Sequence, residues 1–249
     1  MSVRRALVRT VNSFVSLVII LALLIFGGYS AYALWDNQQV YSAAQNVQLE
    51  MRKLKPVVED PEEGPSFEEL LAINPDVKAW VTMDGTAIDY PIVQGETNMS
   101  YINTDVYGNF ALAGSIFLDS RNSGDFSDRY NLVYGHHMAN SNMFGDLDLY
   151  RDEEFFRKNT TGTLITRDGV YDLTVLALLI VPASEDRIFD VPWCQYPDTV
   201  IPFTWNNAEY LSDNMPQLGE EIQFFALSTC SSDFTDARTI VLTSMNRRT

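Results

Sequence analysis

The sequence predicts a mainly β domain that follows one apolar N-terminal helix. The first observation is a series of short segments that are β-branched or alternate between apolar and polar residues, a pattern typical of strands. The second is a pair of turn signals, Asp84-Gly85 and Asp168-Gly169, each between two such segments. The third is an uncharged apolar run over residues 14–35. The chain has 249 residues, of which 46% are hydrophobic, and this is sufficient for one sizeable core.

Eight strands are predicted after residue 66, and eight short strands separated by turn signals indicate a closed barrel or a sandwich. Asp84-Gly85 is expected to form a type I′ hairpin turn, in which both central residues have positive φ. The eight segments are residues 79–83, 86–92, 114–118, 131–134, 161–167, 170–181, 221–227 and 239–244.

Three helical segments accompany these strands. Ser66 and Glu69 match a capping box, which predicts a short helix that ends at about Ile73. Residues 142–159 carry apolar side chains among charges and predict one broken helix or two short ones. Residues 202–215 predict a further helix between the sixth and the seventh strand.

The N-terminal apolar run predicts a membrane anchor or, alternatively, a cleaved signal peptide. Residues 14–35 are long enough to span a bilayer, since a helix of about 20 apolar residues does so. Three arginines precede the run and Asp36 is the first acid, so the positive-inside rule places the N-terminus in the cytoplasm. Ala31-Tyr32-Ala33 matches a signal-peptide cleavage site. Both interpretations export the rest of the chain.

The composition argues against a nucleic-acid partner and against a metal site. Fourteen of the 17 basic residues and all 33 acids follow residue 35, which gives the exported part a formal charge of −19. Phosphate binding needs clustered basic residues, and the acids are interpreted as a solvated surface. No cluster of Cys and His has metal-ligand spacing, so a metal site is not expected. No other cofactor is implied.

The two cysteines are interpreted differently. Cys194 lies in a Pro-rich aromatic segment that reads as a loop, and nothing in the sequence brings it near Cys230. A disulfide between them, which an exported domain permits, is therefore disfavoured. Cys230 follows the seventh strand, and Arg238 opens the eighth, so an antiparallel return places the two side by side. A cation stabilises the thiolate, which is the reactive form of a nucleophilic cysteine.

A cysteine nucleophile usually needs a histidine, and the chain has two, His136 and His137. They follow a strand that is expected to end at Gly135, and they should point to opposite faces. The alternative for Arg238 is a surface ion pair with Asp233 or Asp236.

Together these residues resemble the sortases, cysteine transpeptidases of the Gram-positive cell surface, and in detail class B. The resemblance covers about residues 66–246, with one difference at His137, where the family often has Asn. Its motifs are Leu227-Ser228-Thr229-Cys230 with Arg238, Tyr134-Gly135-His136 with Met138, residues 143–147, residues 74–80 with 86–94, residues 114–122, and the helix between strands six and seven.

The resemblance implies a sortase-type eight-stranded β-barrel with peripheral helices. It also implies cleavage of an Asn-Pro-x-Thr-type sorting signal after Thr, a thioester on Cys230, and transfer to an amine of a lipid-linked cell-wall precursor. His136 is implied as general acid and then base, and Arg238 as a donor to the substrate carbonyl and the oxyanion. Weaker candidates for the substrate groove are Ser228, Thr229 and Tyr134.

The implied organisation is a cytoplasmic N-terminus (residues 1–13), a transmembrane anchor (14–35), an extracellular stalk and linker (36–65) and a sortase catalytic domain (66–249). The alternatives are a pilin-polymerising sortase, an exported cysteine hydrolase and a non-catalytic β-barrel binding module.

Overall fold

The computed structural model describes residues 2–57, 64–182, 184–230 and 237–248. The chain forms two compact units, Met1–Ser42 and Ala43–Thr249. The first unit belongs to a long helix, α1 (Ser2–Arg52). The segment Leu7–Arg52 is long and apolar enough to cross a membrane, a property that a signal sequence shares. Residues 36–52, at the start of the predicted stalk and linker, are helical.

In the part of the second unit that the structure describes there are ten strands, and eight of them form a closed barrel. The closed order is β1-β6-β7-β10-β9-β4-β3-β2, and β2 returns to β1. The two remaining strands, β5 and β8, add to β4 and β7. All eight predicted strands are among those of the barrel, which confirms the predicted fold. The strands are β1 (Val77–Met83), β2 (Asp89–Val93), β3 (Ile116–Leu118), β4 (Tyr130–Met138), β5 (Asn142–Met143), β6 (Thr161–Thr166), β7 (Gly169–Pro182), β8 (Ala208–Leu211), β9 (Phe224–Cys230) and β10 (Ala237–Arg247).

Alternation of side chains along each strand creates two cores. One fills the barrel, because all eight closed strands contribute to it, with Val133 on β4 and Leu227 on β9 as examples. The other lies on the outer face of the barrel, where Leu132 and Tyr134 of β4 pack with residues of the helices. The helices of this unit, besides the end of α1, are α2 (Phe67–Ile73), a 3-10 helix (Gly145–Arg151), α3 (Glu153–Lys158), a 3-10 helix (Arg187–Phe189), α4 (Val191–Cys194) and α5 (Pro197–Asn207).

Several local predictions are confirmed and others need correction. The capping box of Ser66 and Glu69 is present, and α2 ends at Ile73 as expected. The segment 142–159 contains two short helices, as one of its two interpretations predicted. The predicted helix 202–215 is wrong at both ends: it begins at Pro197, because a proline is favourable in the first turn, and it gives way to β8 at Ala208.

Two turn and strand boundaries also differ from the predictions. The hairpin at Asp84-Gly85 exists, but it is not a type I′ turn, because Gly85 has φ +76° whereas Asp84 is not left-handed. Strand β4 does not end at Gly135 but continues to Met138. Packing explains the glycine at position 135, because a Cβ there would lie 2.4 Å from Ile116 Cδ1.

The last residues of α1 and those after it are attached to the barrel. Met51 is buried in the outer core, and Gln48 donates a hydrogen bond to Ala87 O at 2.9 Å. Arg52 and Lys55 form ion pairs with Asp89 at 3.1 and 2.8 Å. Burial raises the pKa of Asp89, but the hydrogen bonds from Lys55 and others outweigh it and hold this pKa below its usual value.

We expect a chain that begins at residue 56 to be much less stable than one that begins at residue 43. The shorter chain exposes the site that Met51 fills and leaves Asp89 without both cations, a loss of about 3–5 kcal/mol. For a domain of this size the melting temperature should fall by about 10 °C. Thermal unfolding followed by circular dichroism measures this difference, and equal melting temperatures would show that residues 43–55 do not stabilise the barrel.

Candidate functional site

Strand register places the three sequence-predicted catalytic residues in one line across the sheet. Strand β9 lies between β4 and β10. It is parallel to β4, and His136 is paired with Cys230. It is antiparallel to β10, and the register Ile240 to Ser228 brings Arg238 opposite Cys230 when it is continued by two residues. Because neighbouring strands are about 4.8 Å apart, histidine and arginine flank the cysteine backbone on its two sides. We call these three residues the catalytic row.

His136 is the histidine of this row, and its ring is fixed by a loop. It is buried, and Nε2 lies 2.7 Å from the carbonyl oxygen of Ile102, in the connection between β2 and β3. A carbonyl oxygen only accepts hydrogen bonds, so Nε2 carries a proton in the neutral and in the charged ring. Of the two ring nitrogens, Nδ1 is therefore the one that can lose and regain a proton while this contact is kept.

His137 points to the opposite face of β4, as predicted from strand alternation. Its side chain is about half exposed, and Nε2–H donates to Asp148 Oδ2 at 2.8 Å. The two adjacent histidines therefore have different surroundings, and the one that shares a register position with Cys230 is His136.

Arg238 is held by a backbone carbonyl and an aromatic ring. Its Nη1 donates to Thr229 O at 3.5 Å, and its Cζ lies 5.4 Å from the centre of the Phe189 ring. Among the described residues Nε has no hydrogen-bond partner although it is buried. The guanidinium thus retains a donor beside the catalytic row. The alternative partners Asp233 and Asp236 lie outside the described residues.

The three weaker candidates from the sequence occupy different places. Tyr134 and Ser228 are paired in register on the outer face, one step before the catalytic row. The Tyr134 ring stacks on Phe189 at 6.5 Å. Thr229 is buried, and its hydroxyl accepts a hydrogen bond from the amide of Thr239 at 3.1 Å. Its carbonyl oxygen, not its hydroxyl, is the atom that meets Arg238.

Phe189 is a site residue that the sequence did not reveal. It ends a 3-10 helix in the connection between β7 and α4, and it contacts both Tyr134 and Arg238. Its carbonyl oxygen accepts a hydrogen bond from Arg121 Nη2 at 2.7 Å. Arg121 is paired with the buried Asp119 at 2.8 Å. Nothing in the spacing of these residues indicates that they meet.

Asp119 organises this side of the site. Besides Arg121, it accepts hydrogen bonds from Asn98 Nδ2 at 2.9 Å and from the Tyr134 hydroxyl at 3.2 Å. Burial raises the pKa of Asp119, but the hydrogen bonds from Arg121 outweigh it, so the pKa lies below its usual value.

A pH titration of stability tests this assignment for Asp119. A carboxyl whose pKa is lower in the folded state stabilises the fold above its unfolded pKa of about 4, and the stabilisation is lost as the pH falls. We expect Asp119→Asn to cost about 1–3 kcal/mol near neutral pH and less in acid. Urea unfolding across the acid range measures this, and a deficit that stays constant with pH would contradict the assignment.

Cys194 is a free thiol and does not lie on any of the three strands that carry the catalytic row. The expectation that it sits in a loop is wrong, because it ends the short helix α4 after a proline in the first turn. It is fully buried, and burial raises the pKa of its thiol. The disfavoured disulfide with Cys230 is therefore not formed. Within the described part of the chain, no group of three or more His, Cys, Asp or Glu residues is placed to hold a metal ion.

Comparison with known proteins gives a consistent result. No family model matches the chain. Sortase B of Listeria monocytogenes is 30% identical over 174 residues, which cover 66% of this chain and 67% of that protein. Sortase B of Staphylococcus aureus is 28% identical over 174 residues, 70% of this chain and 71% of that protein.

Solved structures agree with these relatives. A Streptococcus pyogenes class B sortase involved in pilus biogenesis has 38% identity and a TM-score of 0.66, and the match covers 72% of this chain and 97% of that one. Sortase B from Bacillus anthracis in complex with AAEK1 has 30% identity and a TM-score of 0.66, and the match covers 86% of this chain and 98% of that one.

Fold, strand register and similarity together define a β-barrel cysteine transpeptidase. The chain belongs to the sortase family, and within it to class B.

Proposed function

We propose that this chain is a membrane-anchored sortase that cleaves an Asn-Pro-x-Thr-type sorting signal after Thr and transfers the acyl group to an amine of a cell-wall precursor. The observation that carries the proposal is the register across β4, β9 and β10, which lines up His136, Cys230 and Arg238. A substrate complex is known for Staphylococcus aureus sortase B, which is 26% identical over a match covering 86% of this chain.

Cys230 is the proposed nucleophile. Its thiolate attacks the carbonyl carbon of the substrate Thr, and negative charge develops on the carbonyl oxygen. The guanidinium of Arg238 donates hydrogen bonds to this oxygen, an interaction that strengthens as the charge develops. Phe189 and Thr229 O support the proposal because they hold the guanidinium on the side of Cys230.

His136 transfers the protons in both halves of the reaction. As general acid it gives the Nδ1 proton to the leaving amine when the peptide C–N bond breaks and the thioester forms. As general base it then takes a proton from the incoming amine, which attacks the thioester and releases the Cys230 thiolate. The hydrogen bond from Nε2 to Ile102 O supports these assignments, because it leaves Nδ1 as the exchanging nitrogen.

Tyr134, Ser228 and Thr229 are proposed to form part of the substrate groove. Tyr134 and Ser228 lie one register step from the row on the same face of the sheet. Tyr134 acts through the ring stack with Phe189, and Thr229 acts through the carbonyl that holds Arg238.

The N-terminal helix is proposed as the anchor. Residues 14–35 cross the membrane, residues 1–13 with their arginines stay in the cytoplasm, and residues 36–65 connect to the extracellular catalytic domain, residues 66–249. Apolar side chains along the helix, such as Leu17 and Ile25, are exposed, and this supports the proposal that the helix lies in lipid. Tethering raises the effective concentration of a membrane-bound acceptor.

A pilin-polymerising sortase is the second candidate. The observation that favours it is the 38% identity to the Streptococcus pyogenes enzyme, which is involved in pilus biogenesis. In that case the acceptor amine is a Lys side chain of another pilin subunit.

The test uses the full chain in detergent with a panel of quenched Asn-Pro-x-Thr peptides. The acceptors are an oligoglycine, a diamino acid and a Lys peptide, and the products are identified by mass spectrometry. We expect a Thr–amine adduct that is absent for Cys230→Ala, and the preferred acceptor separates the two candidates. Free acid alone, even with amine present, would identify a hydrolase, and no cleavage of any peptide would contradict the proposal.

A further inference from the structure

The immediate neighbours of the catalytic row form a second line on the opposite face of the same three strands. His137 follows His136 on β4, Thr229 precedes Cys230 on β9, and Thr239 follows Arg238 on β10. Successive residues of a strand point to opposite faces, so these three side chains lie behind the row.

A continuous set of hydrogen bonds joins these three residues to the 3-10 helix Gly145–Arg151. Asp148 Oδ2 accepts from His137 Nε2 at 2.8 Å, and Asp148 Oδ1 accepts from the Thr239 hydroxyl at 3.2 Å. Arg151 donates from Nε to Asp148 Oδ1 at 2.9 Å and from Nη2 to Thr239 Oγ1 at 2.8 Å. The Thr239 amide donates to Thr229 Oγ1 at 3.1 Å. We call these five residues the anchoring network.

The 3-10 helix that supplies Asp148 and Arg151 is itself firmly placed. Its residues Leu147 and Tyr150 are buried in the core inside the barrel. Just before it, the Phe144 amide donates to the carbonyl oxygen of His136 at 3.0 Å. Phe144 therefore bonds directly to His136 of the catalytic row, and the helix that follows it is joined to β4, β9 and β10 through the network.

The burial of the network indicates what it does. The ionic side chains of Asp148, Arg151 and His137 are 38–47% exposed, so their pairs add little to global stability. The hydroxyls of Thr229 and Thr239 are buried, and both are satisfied within the network. The bonds connect the three strands through residues that are next in sequence to the catalytic row. A small displacement of a strand at this point would change the distances between the three residues of the row.

We propose that Asp148, Arg151 and Thr239 are positioning residues, which hold β4, β9 and β10 in the register that aligns His136, Cys230 and Arg238. This inference rests on the proposed function. A displacement of about 1 Å between reacting groups lowers a rate by about a hundredfold, so loss of the network affects the chemical step and not peptide binding.

A pair of substitutions at Thr239 separates positioning from packing. Thr239→Val keeps the volume and removes the hydroxyl, whereas Thr239→Ser keeps the hydroxyl and removes a methyl group. For the full chain in detergent with an Asn-Pro-x-Thr peptide, we expect Thr239→Val to lower kcat about tenfold with KM nearly unchanged. We expect Asp148→Ala to do the same and Thr239→Ser to keep the wild-type kcat.

Glu153→Gln is the matched control, because it breaks a comparable exposed ion pair, with Arg157, on the following helix. It should leave kcat unchanged. The proposal is overturned if Thr239→Ser loses as much kcat as Thr239→Val, or if the loss lies in KM. Should the wild type cleave no peptide, the proposed function fails, and alkylation of Cys230 by iodoacetamide still tests the network. Slower alkylation in Thr239→Val than in Thr239→Ser then supports positioning, and equal rates overturn it.

Discussion

Arg238→Lys is expected to lower kcat/KM by about a hundredfold to a thousandfold, although it keeps the positive charge. The guanidinium reaches Thr229 O with Nη1, lies over the Phe189 ring and still has a buried Nε donor without a partner among the described residues. A lysine ammonium is a compact point charge without this planar fork, so it cannot hold both contacts and also donate to an oxyanion. Steady-state kinetics with the cleaved peptide measure the loss.

Arg187→Lys provides the matched control for that substitution. Arg187 also stacks on an aromatic ring, with its Cζ 4.8 Å from the centre of Phe203, but it lies outside the catalytic row. We expect nearly wild-type kinetics for this variant. If Arg238→Lys retained full activity, the proposed assignment of oxyanion stabilisation to Arg238 would be wrong.

Gly114→Ala is expected to lower kcat by about a hundredfold through His136, which it does not touch. Gly114 has φ +59°, and a Cβ at this position would lie 2.4 Å from the carbonyl oxygen of Ile102. That oxygen accepts the hydrogen bond from His136 Nε2. Because the clash is with backbone, the carbonyl must move, and the ring loses the contact that fixes its orientation. Steady-state kinetics measure the loss of kcat, and thermal unfolding of the same preparation measures the loss of stability.

Gly219→Ala separates this effect from backbone strain. Gly219 has φ +85°, and a Cβ at this position would have no heavy atom within 4 Å. Both variants should lose about 1 kcal/mol of folding stability, because alanine is strained in the left-handed conformation. Only Gly114→Ala should lose activity. Equal kinetics for the two variants would mean that Ile102 O does not orient the histidine.

The barrel was predictable because its strands are local patterns. Strand alternation and β-branched residues located all eight strands, and the capping box located α2. The errors arose where tertiary packing overrides a local signal. Gly135 reads as a strand end, but its missing Cβ accommodates Phe144 and Ile116 inside a continuous strand. Pro202 reads as a helix start, but it lies inside α5.

The site was predictable only in part, for a related reason. Cys230, His136 and Arg238 are chemically distinctive and lie on strands, so their residue types and spacing predicted them as candidates, and the strand register lines them up. Their supports come from distant connections: Ile102 is 34 residues from His136, and Phe189 contacts Arg238 from the connection after β7. A backbone carbonyl has no sequence signature, and a phenylalanine that ends a short connecting 3-10 helix has none either.

The central claim is that Cys230 carries the acyl group, and mass spectrometry of the digested enzyme tests it most directly. The full chain is incubated in detergent with an Asn-Pro-x-Thr peptide in the absence of amine, quenched in acid and digested. We expect a mass increase on Cys230 equal to the peptide that ends at Thr minus one water, as a thioester requires. The adduct should be removed by hydroxylamine and be absent in Cys230→Ala. An adduct on Cys194, an adduct that persists in Cys230→Ala, or cleavage without any adduct would contradict the account.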